Sequence, residues 1–276
     1  MAVDISKMEG TTKKELHVFY VLDTSGSMMG APIGALNDAM RNTVKELSKK
    51  DGEKADLRIA VLEFNSITNW ITQGNDGVEH LSDFVWTDLS AGGYTALGAA
   101  LKELNTSLSR NAKMKAQTGN KVPVIIFMSD GYPNDDWEEG LRELSQNKWY
   151  RHAIKIAFAL GDDADCDLLA KVIGVTKDGK IMPAYEAVIK TNDLQIFSNM
   201  IRVVSVSASL AASTSQMVGT DASGAGVVKS VLPSDFVAEE NTPVILETPV
   251  DNSADTIYSD SSDAITDDIF EDFDVI

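Results

Sequence analysis

Four short apolar runs limit what this chain can fold into: "LHVFYVL" (16–22), "LRIAVLEF" (57–64), "VPVIIFMS" (122–129) and "HAIKIAFAL" (152–160). Each is continuous rather than alternating and rich in Val, Ile and Phe, as a strand buried on both faces requires. Helical periods lie between and after them. Ile33, Leu36, Met40, Val44 and Leu47 step by three or four behind Pro32, a residue the first helical turn tolerates. Leu97, Leu101, Leu104 and Leu108 repeat the pattern, as do Leu194, Phe197, Ile201 and Val204. Shorter helices are expected over 135–145 and 165–173. The run "SITNWITQG" (66–74) follows the second strand too closely for a crossover helix, so it should return as an antiparallel edge strand. With "YEAVIK" (185–190) as a sixth strand, the expected fold is α/β: a Rossmann-like, doubly wound, mostly parallel six-stranded sheet with one antiparallel edge and helices on both faces.

This rhythm fails near residue 215, and charge changes there too. The chain carries 42 acids and 24 bases, a net of −18. Residues 220–276 hold 14 of those acids and one base, Lys229, leaving residues 1–219 with 28 acids and 23 bases. The expected organisation is therefore one domain over 1–215 and an acidic, largely disordered tail over 216–276. Neither part suits nucleic acid, because phosphate binding needs clustered Lys and Arg. The single cysteine, Cys166, has no disulfide partner, and no run reaches the length of a membrane span. A cytoplasmic location with no membrane contact is the expectation.

Polar residues gather where the strands end. After the first strand, "VLDTSGSM" places Asp23, Ser25 and Ser27 on alternate residues. "AGGYTALGAA" puts Thr95 at a helix start behind Gly92 and Gly93, and "MSDGYPND" puts Asp130 just after the third parallel strand. In an open parallel sheet, ligands bind beyond the carboxyl ends of the strands, where strand order reverses. A lone Asp-x-Ser-x-Ser arises by chance in about one chain in fifteen of this length; three such sites in this order are far rarer. Two carboxylates and three hydroxyls, without sulfur or imidazole, form a hard-oxygen set suited to Mg²⁺ or Mn²⁺. Two negative charges do not enclose a dication, so its natural completion is a carboxylate from another molecule.

The stretches "FYVLDTSGSMMGAPIGALNDAM", "GGYTALGAAL" and "IIFMSDGYPNDDW" resemble the three motif regions of von Willebrand factor A domains that carry a metal-ion-dependent adhesion site. Within that family the chain is similar to the bacterial intracellular branch typified by TerY of the tellurium-resistance and stress-response systems. The resemblance spans about residues 15–208 and omits the tail. It implies that Ser25, Ser27 and Thr95 are hydroxyl ligands, and that Asp23 and Asp130 bind directly or through water. It also implies a non-enzymatic, Mg²⁺-dependent (or Mn²⁺-dependent) adaptor that captures a Glu or Asp of a protein partner. For the bacterial branch, that partner would belong with Ser/Thr kinases and phosphatases.

An enzymatic alternative is a metal-dependent phosphatase of the haloacid-dehalogenase type. That chemistry needs a second acid two residues after its nucleophilic Asp to protonate the leaving group, and here the position holds Ser25. Trp137 admits two readings, a rim contact for a partner or a packing residue with Leu141 and Leu144. The tail admits three: a solvating extension, a partner-binding motif at "DDIFEDFDVI", or a source of the missing carboxylate.

Overall fold

The computed structural model describes residues 13–209, apart from 50, 52–54, 74–76, 117–118, 131, 162–163, 175, 178–179, 182–187, 192, 196, 200, 203–204 and 207–208. The expected tail, 216–276, lies outside the described residues. The elements run β1 (Glu15–Asp23), a 3₁₀ turn (Gly26–Met28), α1 (Ala31–Ser48), β2 (Asp56–Phe64), β3 (Thr68–Trp70), β4 (Glu79–His80), α2 (Leu97–Ser107) and β5 (Val124–Ser129). They continue through α3 (Trp137–Leu144), α4 (Lys148–His152), β6 (Ile154–Leu160), α5 (Cys166–Ile173), β7 (Thr176–Lys177), β8 (Lys180–Ile181) and β9 (Val188–Thr191). The described residues between 194 and 209 are largely helical.

The main sheet has the order β3-β2-β1-β5-β6-β9, with β4 also on β2. β1, β2, β5, β6 and β9 are mutually parallel, and β3 and β4 run antiparallel to β2. The α/β architecture is thus the expected one, but the sheet has seven strands rather than six. The expected edge strand over 66–74 is shorter, and a second short strand follows it. β3 pairs with Leu62–Phe64 and β4 with Arg58–Ile59. Between them the Thr72 hydroxyl accepts from the Val61 N–H (3.2 Å) and donates to the Gly77 carbonyl (2.8 Å). A side chain thereby takes over a ladder bond where the backbone leaves the edge.

Strand order reverses between β1 and β5. From β1 the chain steps outward to β2 and then returns across β1 to reach β5, so the carboxyl ends of β1 and β5 flank the switch point. Right-handed crossovers then place α1 on one face and α2 on the other. The α1 stripe of Leu36, Met40, Val44 and Leu47 is buried with Val18, Tyr20, Ile59, Ile126 and Phe158, as are Phe197 and Ile201. Each such side chain contributes about 1.5–3 kcal/mol.

On the other face, α2 and α3 meet at two glycines. A Cβ on Gly98 would stand 2.5 Å from the Asp136 carbonyl oxygen, and one on Gly140 would stand 2.6 Å from the Gly98 oxygen. This contact tolerates no side chain, and it brings the segment after β5 against the start of α2.

Candidate metal centre

Asp23 is the last residue of β1 and is fully buried. Its Oδ1 accepts from the Ser25 N–H at 2.8 Å, a local turn that fixes the carboxylate plane. Its Oδ2 accepts from the Ser129 hydroxyl at 2.7 Å, reaching from the end of β5. Each carboxylate oxygen retains a lone pair beyond these bonds. Ser25 is buried and its Oγ lies 3.0 Å from the Oγ of exposed Ser27, which donates to Asp130 Oδ1 at 2.8 Å. Ser27 directs its one hydroxyl proton to Asp130. Asp23, Ser25, Ser27, Asp130 and Ser129 thus form one connected array across the switch point.

Thr95 is buried in the segment preceding α2. Backbone bonds tie that segment to the β1 loop: Gly26 N–H to Gly93 O (3.0 Å) and Gly92 N–H to Thr24 O (2.8 Å). Gly93 has φ +85°, and a Cβ there would stand 2.6 Å from Ser66 Oγ, so the turn requires glycine. On its other side, the Thr95 N–H donates to Asn134 Oδ1 (2.9 Å) and the Asn134 N–H donates back to Thr95 O (2.8 Å). Asp135 follows, its two oxygens accepting from the Gly98 and Ala99 N–H groups, both at 2.9 Å. This carboxylate satisfies two of the free donors at the α2 N-terminus. The close approach at Gly98 and Gly140 is what lets it reach them.

The electrostatics disfavour the charged form of both carboxylates. Burial pushes the Asp23 carboxyl above the usual range, and the hydrogen bonds from Ser129 and Ser25 only partly offset this. Burial also raises Asp130; the Ser27 hydrogen bond opposes it and the neighbouring charge of Asp23 adds to it. Burial is the largest cause at both residues. Among the described residues no three His, Cys, Asp or Glu side chains group to hold a metal, so a cation here would depend on hydroxyl oxygen as much as carboxylate. Two carboxylates of raised energy, linked by hydroxyls, fit a hard dication of the Mg²⁺ or Mn²⁺ class.

A family model described as the von Willebrand factor type A domain matches residues 17–187. The chain belongs to the von Willebrand factor type A domain family. Among solved structures, this vWA domain is similar to a von Willebrand factor type A protein from Catenulispora acidiphila, with TM-score 0.51, 15% identity, and 71% of this chain and 43% of that one covered. It is also similar to proximal thread matrix protein 1 of the mussel byssus, with TM-score 0.50, 17% identity, and coverage of 71% and 48%. Human inter-alpha-trypsin inhibitor heavy chain H6 is 26% identical over 178 residues, 59% of this chain and 13% of that protein. The chain thus spans a small part of that relative and under half of both structures. At these identities the structural likeness speaks for the fold alone.

The vWA array contains residues that the motif spacing did not single out. Ser129 ends a continuous apolar strand, and its hydroxyl is a site residue only because β5 lies beside β1. Asn134 and Asp135 read as turn polars in "GYPNDDW", yet they hold the α2 start. Trp137 sits at the first turn of α3, partly buried, with Lys171 Nζ 6.0 Å from its ring centroid. That contact with α5 favours its packing role.

Proposed function

We propose that this vWA domain is a Mg²⁺-dependent protein-binding adaptor whose metal captures an acidic residue of a partner. The observation that carries this reading is the hydrogen-bonded array Asp23–Ser25–Ser27–Asp130, two charge-strained carboxylates bridged by hydroxyls at the switch point. Asp23, Ser25, Ser27, Thr95 and Asp130 would hold the ion, with Mn²⁺ as a substitute. Bound there, the metal supplies a Lewis-acidic position for a carboxylate oxygen. Protein interaction through a metal is the common role of this family, and it supports the reading without identifying the partner.

A non-enzymatic role is part of this reading, and the same residues support it. The position two after Asp23 holds Ser25, whose hydroxyl is engaged with Ser27 and does not supply a leaving-group proton at neutral pH. The spellings "DTSGSM" and "SDGYPNDDW" support placement in a cytoplasmic, TerY-like bacterial stress-response or tellurium-resistance system, with a Ser/Thr kinase or phosphatase as the partner. The acidic tail would engage a second partner. Among the described residues, no helix is long and apolar enough to cross a membrane.

The test is pull-down from bacterial lysate with the full chain, with Mg²⁺ or EDTA, comparing wild type, Asp23→Ala and the double variant Ser25→Ala/Ser27→Ala. The expected result is a partner retained only by wild type with Mg²⁺. Capture that persists in EDTA and in both variants would overturn the reading, and turnover of p-nitrophenyl phosphate abolished by Asp23→Ala would favour the phosphatase alternative.

A further inference from the structure

The described residues expose five large hydrophobic side chains; three of them stand on the segments that build the metal centre and a fourth on a turn bonded to those segments. Met29 (65% exposed) follows Ser27, and Tyr94 (73%) precedes Thr95. Tyr132 (61%) lies two residues after Asp130, and Ile67 (68%) is in the β2–β3 turn. That turn belongs to the same surface, because Ser66 Oγ accepts from the Tyr94 N–H at 2.9 Å and the Asn65 carbonyl accepts from the Ala96 N–H at 2.8 Å. The Gly26–Gly93 and Thr95–Asn134 bonds tie the β1 loop, the α2 entry and the β5 loop together. Apolar groups placed in four separate loops around a polar centre are a rim, since isolated exposed apolars would scatter over the surface.

Charge narrows what the rim receives. Residues 24–30, 65–67, 90–96 and 130–136 contain no Lys or Arg. These four segments supply no positive charge of their own, so a dication bound at the centre is what would draw an acidic group there. Side chains flanking that acid would meet Tyr and aliphatic surface, where apolar contact is favourable and a second carboxylate gains no partner.

Resting on the metal-capture reading above, we propose that the vWA domain selects a peptide segment of a protein partner in which one Glu or Asp is flanked on both sides by aromatic or aliphatic residues, seated on Met29, Ile67, Tyr94 and Tyr132.

The experiment is calorimetric titration of the full chain in Mg²⁺ with two capped pentapeptides, GFEFG and GSESG. Wild type should bind GFEFG about tenfold more tightly, the ratio expected when roughly 60 Å² of apolar surface is buried. The double variant Tyr94→Ser/Tyr132→Ser alters two exposed side chains and should keep its melting temperature. In it GFEFG should fall to the affinity of GSESG, with GSESG unchanged. Equal binding of the two peptides by wild type would overturn the rim while leaving metal capture standing. Binding of neither in Mg²⁺, or undiminished binding of both in EDTA, would overturn the metal-capture reading itself. A gain in GFEFG affinity on shortening the chain to residue 215 would assign the rim to the chain's own acidic segment and overturn the proposal of a partner peptide.

Discussion

Ser129 donates its hydroxyl hydrogen to Asp23 Oδ2 at 2.7 Å, joining the last residue of β5 to the last residue of β1. The bond supports a buried carboxylate whose charged form burial disfavours. Ser129→Ala should lower stability at pH 7 by about 1.5–3 kcal/mol, the range for hydrogen bonds to charged groups. Urea unfolding measures this. Added Mg²⁺ should restore part of the loss.

Asp135 caps α2 through two N–H bonds, and Gly98 is where α3 presses closest. Gly98→Ala should destabilise by about 1–3 kcal/mol through overpacking against the Asp136 carbonyl. Asp135→Ala should cost about 1 kcal/mol as a lost cap. Both should also weaken Mg²⁺ binding, because the loop they position carries Asp130. Thermal melts with and without Mg²⁺ separate the two effects.

His17 is buried in β1 and its pKa is lowered from 6.5 to about 3, chiefly by burial and then by Arg58. A depressed histidine favours folding in its neutral form, so its contribution is present above pH 6.5 and is lost as pH falls toward 3. Between pH 7 and 5 the loss should be about 2 kcal/mol. His17→Gln should remove that increment, read as a shallower fall in unfolding free energy. Asp23 and Asp130 act with the opposite sign, because raised carboxyls favour the fold at low pH and lose that advantage as pH rises.

Lys155, buried at the start of β6, donates to the Tyr150 (2.9 Å) and Ala153 (3.3 Å) carbonyls, yet burial lowers its pKa to about 8. The unfolded chain binds more protons than the folded one between pH 8 and 10.5, so stability should rise with pH as this window is entered. The rise should be absent in Lys155→Met. Measurements are best made between pH 8 and 9.5, since buried Tyr20 and Tyr150, both raised, oppose the trend once tyrosines ionise.

The sheet was legible because β1, β2, β5 and β6 are buried on both faces and therefore continuous in sequence: 16–22, 57–64, 122–129 and 152–160 stand close to Glu15–Asp23, Asp56–Phe64, Val124–Ser129 and Ile154–Leu160. The shift at β6 has a local cause. Asn147 caps a five-residue helix, accepting from the Tyr150 N–H, and that helix takes His152 out of the strand. The edge was less legible, since β3 and β4 are three and two residues long and their division depends on one threonine hydroxyl. Asp23, Ser25 and Ser27 announce themselves by spacing within one loop. Ser129, Asn134 and Asp135 do not, because their partners are more than thirty residues away.

Residues 129–136 carry both Asp130, at the centre, and Asp135, the clasp on α2. Any shift of that segment large enough to free the clasp exposes two donors at the head of a helix whose inner face is buried in the core. The rigidity with which this domain presents its acceptor site to the outside is therefore set by a helix end and two glycines, none of which would touch a ligand itself.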